Sequence, residues 1–375
     1  MAAKCLVEYN HVGKSGLKVA NICLGTMTFG KVDSSPFAVF SSPTQADEEK
    51  SHAMLDRYVQ LGGNFLDTAN IYCFGQSEKI IGSWLKKQKR DEIVVATKVR
   101  GPMGPKPNDV GNSRRHIIKS IEDSLERLQT DYVDLFQLHG WDDGTPIEET
   151  LRVLDDLVRC NKVRYIGACN LFGWQTQKVV DLTKSMGLTS MISLQQQYNL
   201  LTRHSEFEEF QVCKNDGLGV LPWSPLKGGL LTGKYKRGEK LGSTSGRIAY
   251  ISNDEKGASE AGPAWSKYAN NESYWKLMSV MEDVAKIHGK TVAQVALRWT
   301  LQKDVVASVI IGATSIKQLE DNMAAGTGWS LSKEEMEKLD EASNPDVPYP
   351  YDLIAKANAA RVNRYLPQPI VSNLS

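Results

Sequence analysis

The sequence lacks several features that would place it in other protein classes. No apolar run approaches the ~18 residues of a membrane span, and the first residues contain no apolar segment of the kind found in secretory signals. Lysine and arginine form no long run, and the formal net charge over 375 residues is +1. We therefore expect neither a membrane nor nucleic acid as a partner. The sequence gives no indication of an oligomeric state.

Cysteine is sparse and without pattern. The six cysteines include no C-x-x-C pair and follow no regular spacing, so neither a metal site nor a disulfide framework is predicted. Cys23, Cys160 and Cys169 lie within apolar runs, which predicts buried and reduced thiols. A cytoplasmic location follows as an expectation.

A glycine-rich phosphate loop is also missing. No G-x-G-x-x-G follows the first predicted strand, which argues against a doubly wound dinucleotide-binding domain. The chain instead alternates short apolar strands with amphipathic helices, and the strand ends recur at intervals of roughly 30 residues, the length of a βαβ unit. Eight strands are counted, from 20–24 to 308–311. This favours a closed (β/α)8 TIM barrel, with an open doubly wound sheet as the alternative.

The whole chain, 1–375, is predicted to form one barrel domain with additions at its ends and rim. Alternation at 8–19, around Lys14-Ser15-Gly16, predicts an N-terminal β-hairpin. Residues 224–271 are interpreted as a long rim loop, and 345–375 as a C-terminal tail. Helices are predicted at 45–60, with Thr44 as the cap, and at 77–88, 113–128, 147–160, 173–186, 205–215, 272–288 and 291–302.

Three successive predicted strands end on reactive side chains. Asp67 ends one strand and Tyr72 follows it, Lys98 ends the next, and His139 ends the third. The carboxyl ends of barrel strands meet at one rim, so the four side chains are expected to lie together. Taken singly, each has a plainer explanation, such as a solvated lysine or an interior histidine.

Together the four residues predict a proton-donating site. An ammonium lowers the pKa of a neighbouring tyrosine from its ordinary value near ~10. Tyr72 would therefore donate the proton, Lys98 would tune it, and Asp67 would hold Lys98. His139 would orient a carbonyl group or pass on the proton. Such a site suits reversible carbonyl reduction. A Schiff base on Lys98 is a further alternative.

At these positions the chain resembles the aldo-keto reductases. The segments LDTANIY at 66–72, TK at 97–98 and QLHGWD at 137–142 are similar to the three signatures of that family. The resemblance extends over nearly the whole chain and is greatest to the branch of aryl-alcohol-dehydrogenase-like reductases and potassium-channel β subunits. Further matching segments follow in the family's order at 167–170, 195–199, 223–235, 311–322 and 349–351.

The resemblance implies NADPH/NADP+ bound in an extended pose, with Asp67, Tyr72, Lys98 and His139 as the catalytic residues. Three residues would hold the nicotinamide, with Asn170 and Gln195 on its carboxamide and Trp223 stacked on the ring. The pyrophosphate would be lined by Ser224, Leu226, Gly228 and Lys234. The adenosine 2′-phosphate and the adenine would be received by Gly312, Thr314, Gln318, Asp321 and Asn322.

Three positions depart from the family pattern, one of them Trp223, where relatives more commonly have a tyrosine or phenylalanine. Cys169 stands where relatives commonly have a serine beside the nicotinamide-binding asparagine. Gly312 stands where many relatives have a lysine or arginine for the 2′-phosphate, which leaves Lys317 as the nearby cation.

The predicted function is reduction of aldehyde or ketone groups to alcohols with NADPH. The substrate would be a small carbonyl compound, either a sugar-derived keto-aldehyde acid of the uronate type or an aromatic or aliphatic aldehyde. The alternative is a cofactor-binding, redox-sensing regulatory subunit with little turnover. Arginines proposed to meet a substrate carboxylate are Arg114, Arg115, Arg203 and Arg247, and proposed apolar walls are Phe29, Tyr72, Trp141 and Trp265.

Overall fold

Eight short parallel strands form the centre of the molecule. The structure, a computed structural model, describes residues 5–31, 45–238 and 265–361. The strands are β3 (Ile22–Gly25), β4 (Phe65–Asp67), β5 (Val94–Val99), β6 (Val133–Leu138), β7 (Val163–Cys169), β8 (Met191–Gln195), β9 (Gly219–Val220) and β10 (Val309–Ile311). They are almost wholly buried, as parallel strands covered by helices must be.

The strands are hydrogen-bonded in the order β10-β3-β4-β5-β6-β7-β8-β9. Backbone bonds from Ala307 N to Val220 O and from Ile310 N to Pro222 O, both 2.9 Å, join the two ends of this sheet. The strands therefore close into a barrel. The predicted (β/α)8 fold is confirmed, and the open-sheet alternative is wrong.

The predicted hairpin at 8–19 is present and covers one end of the barrel. Strands β1 (Tyr9–His11) and β2 (Lys18–Ala20) pair antiparallel. Val12 and Val19 are fully buried and pack in one cluster with residues of the barrel strands, among them Phe65 at the start of β4. Because the hairpin occupies the end where the strands begin, the opposite, C-terminal end is the one left for a ligand.

A helix is found at each predicted position, with ends moved by a few residues. They are α1 (Glu48–Gln60), α2 (Gln76–Leu85), α3 (Arg114–Leu128), α4 (Ile147–Arg159), α5 (Gly173–Ser185), α6 (Glu209–Asp216), α7 (Glu272–His288) and α8 (Val292–Leu301). The cap of α1 is Asp47, whose carboxylate accepts from Lys50 N, and not Thr44, which lies outside the described residues. The Asp47 carboxylate satisfies one of the free N–H groups of the first turn.

The C-terminal part contains three more helices. They are α9 (Ile316–Met323), α10 (Lys333–Ala342) and α11 (Tyr351–Asn358). The segment 345–375, interpreted as a C-terminal tail, contains α11, where Tyr351 stacks on Phe207 with ring centroids 4.9 Å apart and its hydroxyl donates to Glu208. Residues 362–375 lie outside the described part.

The predicted rim loop at 224–271 is only partly described. It contains short 3₁₀ turns at Lys227–Thr232 and Trp265–Lys267, and residues 239–264 lie outside the described ranges. All six cysteines are free, but Cys160 is exposed at the end of α4, so its predicted burial was wrong. Among the helices described, none has the length and apolar character needed to span a membrane.

Candidate active site

A cavity of about 920 Å³ opens at the C-terminal end of the barrel. That volume is within the usual range for sites that bind small molecules and cofactors. Every residue predicted for catalysis or cofactor binding lines it, except Lys98, which is fully buried behind the wall. The lining residues among them are Asp67, Tyr72, His139, Asn170, Gln195, Trp223, Ser224, Leu226, Gly228, Lys234, Gly312, Thr314, Gln318, Asp321 and Asn322.

Lys98 links a carboxylate to a phenol. Its Nζ lies 2.5 Å from Asp67 Oδ1 and 3.2 Å from the Tyr72 hydroxyl, and it also donates to the Thr68 carbonyl at 2.8 Å. The ammonium thus uses all three of its donors. The three side chains come from β4, β5 and the turn after β4, which the barrel register places side by side. The three residues that the sequence predicted to form a proton-donating group therefore lie in contact.

The second oxygen of Asp67 is held by two amides. Gln195 Nε2 lies 2.9 Å and Gln137 Nε2 lies 3.2 Å from Asp67 Oδ2. Gln137 is fully buried on β6, two residues before His139, and the sequence analysis gave it no role. Residues two apart in a strand point to the same face, so the spacing of Gln137 and His139 already indicated that both side chains point into the site. The buried carboxylate therefore has hydrogen-bond donors on both oxygens.

Burial and neighbouring charges determine the pKa values of Lys98 and Tyr72. Burial lowers the pKa of Lys98, but the Asp67 carboxylate outweighs it and the net pKa is raised. Burial raises the pKa of Tyr72 above its ordinary value, and the Lys98 ammonium opposes this without reversing it. The expected net lowering at Tyr72 was wrong, because desolvation of the phenolate is the larger effect. Tyr72 is a protonated phenol and Lys98 an ammonium throughout the neutral range.

His139 is a neutral imidazole at neutral pH. Burial, and then the Lys98 and Arg100 cations, lower its pKa to about 3. Its ring meets the Tyr72 ring edge-on, with centroids 5.9 Å apart. A neutral imidazole donates one N–H bond but has no readily lost proton to supply. Of the two roles predicted for His139, orientation of a carbonyl group fits this environment and proton transfer does not.

The side chains predicted to hold the nicotinamide form a connected group. Asn170 donates to His139 O at 3.2 Å and accepts from the Trp223 indole N–H at 3.0 Å. Asn170 and Ser224 have backbone φ values of +55° and +53°, a strained conformation for residues with a side chain. Cys169 does not line the cavity, and its thiol is directed at Gln137 Oε1, 3.9 Å away.

The far end of the cavity lies at the start of α9. The Gln318 side chain accepts from both Thr314 N and Thr314 Oγ1, at 2.9 and 2.8 Å. Asp321 accepts from Gln294 at 2.9 Å, so its carboxylate is already engaged. Lys317, the cation expected nearby, is exposed and does not line the cavity.

Two cations line the cavity without a carboxylate partner in the described ranges. One is Lys234, which is exposed and whose pKa is lowered by partial desolvation of its ammonium. The other is Arg100, which the sequence analysis missed. Within the same ranges, no group of three or more histidine, cysteine, aspartate or glutamate side chains is placed to hold a metal ion.

The arginines proposed for a substrate carboxylate are placed elsewhere. Arg114 pairs with Asp156 on the surface at 2.6 Å, and Arg203 is buried against Glu206 at 2.8 Å. Arg115 is exposed on α3 and does not line the cavity, while Arg247 lies outside the described residues. That proposal was therefore wrong for Arg114, Arg115 and Arg203.

Most of the proposed apolar walls were also wrong. Phe29 is buried in the core, and Trp265 is buried against Tyr235 with ring centroids 5.0 Å apart. Trp141 packs edge-on against Trp174. Tyr72 does line the cavity, and the apolar residues Met27, Ile71 and Pro102 are among the others that do.

Several known proteins are similar to this chain over most of its length. The chain is 35% identical over 346 residues to the uncharacterized oxidoreductase YrpG of Bacillus subtilis, covering 89% of this chain and 95% of that protein. It is 30% identical to a norsolorinic acid reductase of Aspergillus flavus (93% of this chain, 84% of that protein). It is 33% identical to a probable voltage-gated potassium channel subunit beta of Arabidopsis thaliana (85% and 91%).

The match extends to a family profile that covers most of the barrel. Residues 21–344 match the Aldo/keto reductase family. This range begins just before β3 and ends after α10, so it contains all eight barrel strands and the whole cavity. The chain belongs to the aldo/keto reductase family.

Proposed function

We propose that this protein is an NADPH-dependent reductase that converts an aldehyde or ketone to an alcohol, with Tyr72 as the proton donor. One observation carries the proposal: the Tyr72 hydroxyl lies at the cavity wall 3.2 Å from a buried ammonium, itself held 2.5 Å from the Asp67 carboxylate. A phenol in this position is protonated before the reaction and has a cation beside it when it becomes phenolate.

The residues around the cavity suit a dinucleotide. Gln195 donates to Asp67 through Nε2, and no described residue donates to its Oε1, which leaves that oxygen for the N–H of a carboxamide. Lys234, which has no carboxylate partner among the described residues, provides a cation in the segment predicted to line the pyrophosphate. When bound, the dihydronicotinamide would supply the hydride.

The chain's own residues would then perform the remaining tasks. His139, as a neutral imidazole, would donate a hydrogen bond to the substrate carbonyl oxygen and orient it. Tyr72 would give its proton to that oxygen as negative charge develops there. The Lys98 ammonium would stabilise the resulting phenolate, and Asp67 would hold Lys98 in place. The same environment argues against a Schiff base, because Lys98 is a charged ammonium and not a nucleophilic amine.

A substrate panel tests the function directly. Oxidation of NADPH and of NADH is followed with aromatic, aliphatic and sugar-derived aldehydes. Turnover that requires an aldehyde and is faster with NADPH is expected. Tight NADPH binding with negligible turnover across the panel would instead support the redox-sensing alternative. The similarity to a probable potassium channel β subunit is the reason for considering that alternative.

The rate of hydride transfer should be flat across neutral pH. The active form of Tyr72 is the protonated phenol, and its raised pKa means that the rate falls only as the pH rises past that value, above ~10. His139, with a pKa of about 3, stays neutral above pH 5. Single-turnover rates between pH 5 and 9, at saturating NADPH, should show no step. A step near pH ~6.5, the ordinary histidine value, would contradict the neutral role of His139.

Lys234→Met should weaken NADPH and NADH binding alike, by about 10–100-fold. A charge-assisted hydrogen bond to a phosphate contributes roughly 1.5–3 kcal/mol, and both cofactors share the pyrophosphate. Dissociation constants from fluorescence titration give the measurement. The matched control is Lys317→Met, a lysine outside the cavity wall. Loss of NADPH affinity alone in the Lys317 variant would place that lysine on the 2′-phosphate, and unchanged affinities in the Lys234 variant would contradict the pyrophosphate role.

A further inference from the structure

Arg100 lies on the side of the cavity away from the predicted cofactor residues. It follows β5, and in the eight-stranded order β5 is four strands from β9, hence directly across the barrel. The predicted pyrophosphate and adenosine residues follow β9 and β10. Arg100 instead borders the end that contains Tyr72 and His139, and its charge contributes to the low pKa of His139.

The guanidinium of Arg100 is fixed in place but has no carboxylate partner. Nε donates to the Trp141 carbonyl at 2.8 Å, which leaves the two terminal nitrogens for another acceptor. No carboxylate of a described residue lies within ion-pair distance of it. Asp142, the acidic residue whose pKa Arg100 helps to lower, already accepts from Asn112 N, Gly144 N and the Thr145 hydroxyl.

The backbone at Arg100 is strained. Its φ is +143°, in a region that favours glycine, and non-glycine residues in such regions concentrate at functional sites. The neighbouring residues hold this conformation. Gly111 N donates to Arg100 O at 2.9 Å, and Gly101 packs so closely that a Cβ there would lie 3.0 Å from Ile71 Cβ. An exposed arginine with only a surface role does not require this arrangement.

We propose that Arg100 binds a carboxylate on the substrate, so that the enzyme prefers carbonyl compounds that carry a carboxylate at a distance from the reacting group. This inference rests on the proposed reductase function and names its substrate class. Arg100 lies two residues beyond Lys98 and lines the same cavity as Tyr72 and His139, so the carboxylate and the reacting carbonyl would be joined by a short spacer. Ile71 and Pro102 line the cavity beside Arg100 and supply apolar contact for that spacer.

The charge balance at this end of the cavity favours an anion. Asp67 is neutralised by Lys98, and His139 is neutral, so Arg100 is the cation without an ion-pair partner among the described residues that line this end of the cavity. A carboxylate matches the planar guanidinium and forms two parallel hydrogen bonds with it.

The test compares two substrates of similar shape and different charge. They are 4-carboxybenzaldehyde, an anion at pH 7, and its neutral counterpart methyl 4-formylbenzoate. The readout is the ratio of their kcat/KM values, anion over ester, with NADPH. Wild type is expected to favour the anion. Arg100→Met should lower the ratio by about 10–100-fold, the range for a lost charge-assisted pair. Arg100→Lys should lower the ratio less, because the charge remains but the planar guanidinium that forms two parallel hydrogen bonds is lost.

Arg115→Met, a change of the same chemistry outside the cavity wall, serves as the control and should leave the ratio unchanged. A wild-type preference for the ester overturns the inference. An unchanged ratio in Arg100→Met also overturns it. If both kcat/KM values fall together, Arg100 only positions the backbone at Trp141, and if NADPH affinity falls instead, Arg100 binds the cofactor. If wild type reduces neither aldehyde, nor any other in the panel, the reductase function itself has failed.

Discussion

Replacing Tyr72 with phenylalanine is expected to slow hydride transfer by ~10²–10⁴-fold, the usual cost of removing a positioned acid. The change deletes only the hydroxyl, which lies 3.2 Å from Lys98 Nζ. The oxygen of the reduced carbonyl would then have no proton donor beside it, since His139 is neutral and Lys98 is held by Asp67. The phenylalanine ring keeps the edge-on contact with the His139 ring.

The measurement is a single-turnover rate with an aldehyde that wild type reduces, together with the NADPH dissociation constant. The affinity should change little, because the predicted cofactor contacts lie on other residues. Tyr268→Phe is a matched control, since Tyr268 does not line the cavity and packs on Tyr274. A Tyr72→Phe rate within a factor of two of wild type would refute the proton-donor role.

The fold was predictable because its determinants are local and repeated. Each barrel strand is a short apolar run followed by a helix with apolar residues on one face, as in α3, where Ile117, Ile121 and Leu125 are buried. Strand ends spaced by one βαβ unit then leave few alternatives to a barrel. The catalytic candidates followed from the same pattern, because strand ends of a barrel meet at one rim.

What the sequence did not reveal depends on contacts between distant segments. Gln137 matters only through its bond to Asp67, 70 positions away in the chain. Arg100 resembles any arginine after a strand until its cavity position and its bond to the Trp141 carbonyl are known. Arg203 was misread for the converse reason: its buried partner Glu206 could not be told from a surface carboxylate.

The direction of the Tyr72 pKa was missed because two opposing effects differ in size. The sequence places a lysine near the tyrosine, which lowers the pKa, but gives no measure of burial, which raises it. The exposed Cys160 shows the same difficulty, since an apolar neighbourhood in the chain does not decide which face of the helix end meets solvent.

Lys98→Met is expected to destabilise the cofactor-free protein by roughly 3–5 kcal/mol, the cost of leaving one partner of a buried ion pair alone. The Lys98 side chain is fully buried and that of Asp67 is 2% exposed. Without the ammonium, the donors left to the Asp67 carboxylate among the described residues would be the two amides of Gln137 and Gln195. Urea unfolding, with the midpoint and slope fitted together, gives the free energy of unfolding.

A double-mutant cycle separates the pair from the packing. Asp67→Asn alone should also destabilise, because it leaves the ammonium buried without its carboxylate, but Asp67→Asn with Lys98→Met should cost clearly less than the sum of the two. The exposed pair Lys119–Asp123 on α3, 2.7 Å apart, is the control, and Lys119→Met should cost less than about 1 kcal/mol. If the costs of the two changes were additive, the interaction between Asp67 and Lys98 would not account for the loss of stability. Asp67 would then not fix the ammonium in the position that its role beside Tyr72 requires.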